Sequence, residues 1–291
     1  MRNVTPALAA YLLSKPSCWS ADLFVIELAQ GGTLLLTSFD QPISVPFGET
    51  SLVYSNQGMT IERNQWEAKN TTDVPQLEIQ MYSNGADFNA GNFKQLAHDG
   101  ALDGARVTLY RAFMPTPGNL NAMGTVLLFG GRTSTVTVSA TGVKLMVKGD
   151  NVLMQQYFPK NVYQLGCLHN LFDAGCKASR SAFTLDAAVG ASGLNSIFIP
   201  WASPPANPAL YNLGAFIITS GAGDAQARTV ENASSAGLTL AYPLYVLPAA
   251  GDTFTVTNGC DKTMATCSAV FANLQNFRGF PFIPPAETAL S

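Results

Sequence analysis

Apolar and polar residues alternate along most of this chain in short runs, the period of a half-buried β-strand. Leu23-Phe24-Val25-Ile26-Glu27-Leu28, a Gly31-Gly32 turn and Thr33 to Thr37 spell a hairpin. Leu77, Ile79 and Met81 mark one face of a strand over 76–82, and residues 106–113 repeat the pattern. Further strands are predicted over 125–129, 133–139 and 143–148, with Gly130-Gly131 and Thr141-Gly142 read as the turns between them. Two stretches depart from this period and predict helices. Thr5 as N-cap and Pro6 at the first helical position open one over Ala7 to Leu13, closing before Pro16; residues 93–102 form the second.

After Asn151 the texture changes, and Val152 to Tyr163 reads as a connector into a cysteine-bearing segment. Strands resume over 215–219, 227–231, 238–242, 244–247 and 253–257, and the chain ends in an irregular tail from Asn276 to Pro285. No fixed-period repeat and no heptads interrupt this grammar. The expected fold is all-β: two or more barrel-like or sandwich-like modules with a few short helices, divided into residues 1–151 and 152–291.

Composition narrows the function. The 291 residues suffice for two cores. Apolar residues reach 47% while charged ones reach 12%, about half the roughly 25% of an average soluble domain, so the surface expects cover from other subunits. The net charge of −3, with no block of like charge, disfavours specific nucleic-acid binding, because phosphate affinity scales with the cations presented. No run of 18 apolar residues is long enough to span a membrane as a helix. Ala7 to Leu13 sits at the lower limit of a signal core without an A-x-A-like site after it, so no export is expected.

Five cysteines carry the candidate chemistry: Cys18 alone, Cys167 with Cys176, and Cys260 with Cys267. The last four are spaced C-x8-C and C-x6-C, neither being the C-x2-C knuckle usual for zinc. Glycines at 166, 175 and 259 precede three of them and are read as allowing tight turns around a bulky centre. Two local disulfides would each contribute about 2.5 to 3 kcal/mol of loop entropy. A shared four-thiolate centre would also close the loop over 177–259, worth roughly 4.5 kcal/mol, as a disulfide between the pairs would. Without a secretion signal the thiols stay reduced, which counts against disulfides, but metal centre and buried thiols both remain open at this point. Cys167 with His169 and Asp173 close behind resembles a nucleophilic site only superficially, since cysteine hydrolases bring their histidine from far away in sequence. Gly221-Ala222-Gly223 lacks the third glycine of a dinucleotide fingerprint and reads as a turn.

The tail is more specific. Gly259-Cys260-Asp261-Lys262-Thr263, Thr266-Cys267, Phe271, Asn273 and Asn276-Phe277-Arg278-Gly279-Phe280-Pro281 through Ile283-Pro284 resemble the C-terminal signature of a tailed-phage family. That family holds the minor tail protein L of lambda-like siphophages and the tail hub proteins of gene transfer agents. Leu165-Gly166-Cys167, Phe172 to Cys176 with Ser179-Arg180, Phe216 to Gly221 and Leu102 to Val107 extend the similarity upstream. The resemblance implies a non-enzymatic virion protein of the tail tip, assembled in the host cytoplasm into a homotrimeric hub. Such a hub adapts the sixfold tail tube and distal tail protein to the central threefold tip, beside other tail-tip proteins and the tape-measure protein. It also implies that Cys167, Cys176, Cys260 and Cys267 hold a 4Fe-4S cluster, with zinc as the alternative; the long, strand-rich stretch between the two pairs departs from the family pattern and is read as an extra β-module between the ligand loops. A cell-wall cysteine hydrolase using Cys167 is the reading from another class.

Overall fold

A computed structural model describes residues 4–14, 17–29, 31–47, 50–65, 74–83, 87–88, 91–115, 122–155, 158 and 161–283. The chain divides into two compact units, Met1–Gln156 and Tyr157–Ser291. The first contains α1 (Pro6–Ser14), β1 (Trp19–Glu27), β2 (Thr33–Thr37), β3 (Ile43–Phe47), β4 (Thr50–Tyr54), β5 (Met59–Arg63) and β6 (Gln76–Ser83). These are followed by the short β7 (Asp87–Phe88) and β8 (Gly91–Asn92), then α2 (Phe93–His98), β9 (Arg106–Met114), β10 (Gly124–Val138) and β11 (Gly142–Gly149).

Seven strands form one antiparallel sheet in the order β2-β1-β9-β10-β11-β6-β5. Alternation places Phe24 and Ile26, Leu34 and Leu36, Val107 and Leu109, Leu77, Ile79 and Met81, and Met59 and Ile61 in a single core with Phe93 and Ala97 of α2. Both edge strands, β2 and β5, contribute to that core, so the sheet is curled around it as a half-barrel. Asp22 spans the opening: its carboxylate accepts from Arg111 Nε on the adjacent strand at 3.0 Å and from Arg63 Nε on the far-edge strand at 2.6 Å. On the outer face Ala21, Leu23, Ala112 and Met114 pack against Ile43, Val45 and Tyr54 of the β3–β4 hairpin. Leu8 seats α1 over Gly124, where an added Cβ would stand 3.0 Å from the leucine.

Thr5 caps α1 as expected, its Oγ1 accepting from Leu8 N–H. Two other expectations need correction. The strands predicted over 125–129 and 133–139 are one strand, β10, bulged between Leu127 and Phe129 and between Thr133 and Thr135. Gly131 makes no turn; a Cβ there would lie 2.2 Å from the Lys148 carbonyl of the neighbouring strand. The helix predicted over 93–102 ends at His98, because the chain turns at Gly100 with φ +79°.

In the second unit β12 (Thr184–Ala188), β13 (Phe198–Pro200), β14 (Ala215–Ile218), β15 (Ala227–Ala233), β16 (Gly237–Leu240) and β17 (Thr253–Thr257) form a six-stranded sheet ordered β12-β17-β14-β15-β16-β13. An antiparallel bridge between Val189 and Trp201 joins the two edges, closing the sheet around Phe216, Ile218, Val230, Leu238, Leu240, Phe254 and Val256. The strand expected over 244–247 is absent. Prolines 243 and 248 flank it, and the N–H groups of Tyr245 and Val246 donate to the side-chain oxygen of buried Gln226 at 2.9 and 3.2 Å instead of to a neighbouring strand. A short helix, α3 (Met264–Ala269), follows the sheet. The described architecture is thus mostly β with few short helices.

Candidate metal centre

Cys167 and Cys176 lie in the irregular segment before β12, and Cys260 and Cys267 lie just after β17. β12 and β17 are the first and last strands of the closed sheet and pair directly, Thr184 opposite Thr257. That register returns the chain to its starting point, so two loops far apart in sequence leave the sheet side by side. All four sulfur-bearing residues line one cavity together with His169, Asn170, Lys262, Thr263, Phe271 and Asn273. The space free of atoms there, open mouth included, is about 360 Å³.

Direct bonds hold the loops together. Cys167 N–H donates to the Lys262 carbonyl at 2.9 Å, and Phe280 N–H donates to the Gln164 carbonyl at 2.9 Å. Lys262 Nζ donates to Asn170 Oδ1 at 3.3 Å. Within the first loop Asp173 acts as a hub: its carboxylate accepts from the N–H groups of Cys176 at 2.6 Å and of Asn170 and Gly175 at 2.9 Å each. The Cys176 N–H, with smaller contributions from the others and from His169, holds the Asp173 carboxyl below the usual range. In the second loop Thr263 caps α3 by accepting from Thr266 N–H at 3.2 Å, which sets the turn that carries Cys267. Phe172, Phe183 and Phe271 pack beneath, with centroids 4.8 to 6.4 Å apart. In the tail, Phe280 stacks edge-on with Tyr163 at 4.5 Å, while Phe282 is exposed.

Three sulfurs receive N–H groups: Cys260 from Lys262 N at 3.3 Å, Cys167 from Arg278 N at 3.5 Å, and Cys176 from Asn273 Nδ2 at 3.7 Å. Such bonds favour thiolate over thiol. Burial pushes the Cys260 thiol up, as do Asp261, Cys176 and Cys167. Cys267 is raised likewise, by burial first and then by Cys167, Cys260 and Cys176. The raised thiols of Cys260 and Cys267, gathered with the other two sulfurs and with three N–H donors, form an arrangement that a positive centre would relieve. Among the described residues, no three His, Cys, Asp or Glu side chains form a group placed to hold a metal ion. All five cysteines are free thiols, and Cys18 stands apart, packed beside α1.

The glycines beside the cysteines differ from expectation. None of Gly166, Gly175 and Gly259 has positive φ. Gly259 admits close approach instead, a Cβ there falling 1.7 Å from the Asn212 carbonyl oxygen. The left-handed positions in these loops belong to Phe172, Lys177, Lys262 and Ala272, at φ 66°, 58°, 62° and 46°. Non-glycine residues hold that region rarely, and such strain gathers at functional sites. The sequence carried no signal for it.

The chain belongs to the phage baseplate hub family: the family described as "Baseplate hub protein, N-terminal attachment domain" matches residues 5–179, more than half of its length. A second family, "Phage conserved hypothetical protein BR0599", matches residues 209–287. A chain from the "Virion of native gene transfer agent (GTA) particle" shares the fold, with TM-score 0.71 and 23% identity over 98% of this chain and 95% of that one. No curated protein matches. As a baseplate hub protein the chain is a virion component and not an enzyme, which removes the hydrolase reading.

Proposed function

We propose that this chain is the tail-tip hub subunit that adapts the sixfold tail tube and distal tail protein to a threefold tip, as a homotrimer, with a structural 4Fe-4S cluster on Cys167, Cys176, Cys260 and Cys267. The observation carrying the cluster is the convergence of four cysteines from both ends of an inserted barrel on one cavity. A single zinc ion needs its sulfurs about 2.3 Å from one point. Four thiolates suit iron–sulfur chemistry and zinc alike in ligand type, and the resemblance of the tail to phage tail hub proteins favours the cluster. When bound, such a cluster supplies four metal–sulfur links between two loops and neutralises part of the thiolate charge. The chain's own residues supply the N–H donors and fix the loop register. The baseplate hub family match, together with a chain of similar fold from a gene transfer agent virion, supports placing this one at a tail tip. The distal tail protein, other tail-tip proteins and the tape-measure protein are the expected neighbours.

Anaerobic reconstitution of the full chain tests the cluster. Four irons and four sulfides per chain with a visible charge-transfer band support it; zinc, or no metal, overturns it. Mass measurement of the reconstituted protein reads the trimer, and a monomer at assembly concentrations counts against the hub reading.

A further inference from the structure

Of the three N–H groups directed at cysteine sulfur, two are backbone groups, from Lys262 and Arg278. The third belongs to the side chain of Asn273, so it is the one a substitution can remove with the peptide chain left intact. Asn273 is only 7% exposed. Its backbone N–H donates to the Cys267 carbonyl at 3.1 Å, anchoring it to the second ligand loop. Its Nδ2 reaches into the first, donating to the Cys176 carbonyl at 2.5 Å and standing 3.7 Å from Cys176 Sγ. Its Oδ1 is taken by Asn276 Nδ2 at 2.6 Å, which leaves the amide one orientation: oxygen toward Asn276, NH₂ toward Cys176. Ala272, immediately before it, carries φ 46°. The tail residue Asn276 therefore fixes the direction of a single amide.

We propose that Asn273 is a positioning residue of the cysteine site, fixing Cys176 and donating an N–H···S bond that favours the reduced state of the centre. The redox half of this proposal rests on the cluster reading above. A donor facing a thiolate ligand stabilises the more negative oxidation state, and hydrogen bonds to sulfur are among the terms that set cluster potentials. A charge-assisted bond of this kind contributes on the order of a factor of ten to that equilibrium.

The test uses the full chain, reconstituted anaerobically, as wild type, Asn273→Ala, Asn273→Asp and Asn276→Ala, with iron content, spectrum and midpoint potential measured for each. In Asn273→Ala the ratio of reduced to oxidised protein at fixed potential is expected to fall about tenfold, a downward shift of about 59 mV for a one-electron couple. Asn273→Asp keeps the shape but turns negative charge toward the sulfur, so it shifts further in the same direction. Asn276→Ala releases the amide and shifts less, and together with Asn273→Asp it carries the test if Asn273→Ala does not fold. Fully loaded variants with the wild-type potential overturn the proposal. Failure of the wild type to take up iron overturns the cluster reading instead. The positioning half is then read from the metal-free protein, where loss of the bond from Asn273 to the Cys176 carbonyl in Asn273→Ala should speed backbone hydrogen exchange over 173–177 severalfold; unchanged exchange overturns it.

Discussion

The Asn212 carbonyl oxygen comes so near Gly259 that no larger residue fits without moving backbone, since the neighbours it would meet are main-chain atoms of 212–214. Gly259→Ala is therefore expected to destabilise the second unit by about 3 kcal/mol and to lower iron uptake, checked by denaturant unfolding and iron analysis. Gly175 faces the His169 ring instead, a side chain able to rotate, so Gly175→Ala should cost less. Cysteine positions were legible from the sequence, through their pairing and the resemblance of the tail. What sequence could not show is how each residue is held. The glycines read as turns are points of close approach, and the residues that make the tight turns, Phe172, Lys177, Lys262 and Ala272, carry ordinary side chains with no local signature of positive φ. Cys18→Ser should lie within about 0.5 kcal/mol of wild type, having no link to the site.

Among the elements, those with strict alternation were the legible ones: β1 with β2, β6, β9, β11, β14, β15, β16 and β17 fall where the pattern puts them. β3, β4, β5, β12 and β13 were not expected, the second helix is cut short by a local turn at Gly100, and the strand read over 244–247 fails because partners far along the chain override local pattern. Residues 244–247 are apolar enough for a strand, yet Gln226 collects their N–H groups, and its Nε2 donates to the Val246 and Gly223 carbonyls. Gln226→Leu should therefore destabilise the second unit by about 2–4 kcal/mol and raise hydrogen exchange at Tyr245 and Val246 selectively. In the first unit, Asp22 ties β5 to β1 across a core that the ladder alone leaves open. With side chains 13–36% exposed, that triad is worth more than a surface pair: Asp22→Asn should lower stability by about 1–2 kcal/mol, the loss shrinking at high salt.

At the scale of the whole chain, each unit carries its own buried cluster, so loss of the centre should be felt on one side only. Replacing any of Cys167, Cys176, Cys260 or Cys267 by Ser, or stripping iron with a chelator, is expected to lower the melting temperature of Tyr157–Ser291 while the transition of Met1–Gln156 stays put; calorimetry reads both. Equal melting of all four variants and wild type would count against a shared centre. A chain poor in charge fits this setting, because a virion subunit is covered by its neighbours. The pairing of β12 with β17 has one more consequence. Residues 184–257 depart from and return to a common base, so a long stretch of chain separates the two cysteine loops in sequence without separating them in space.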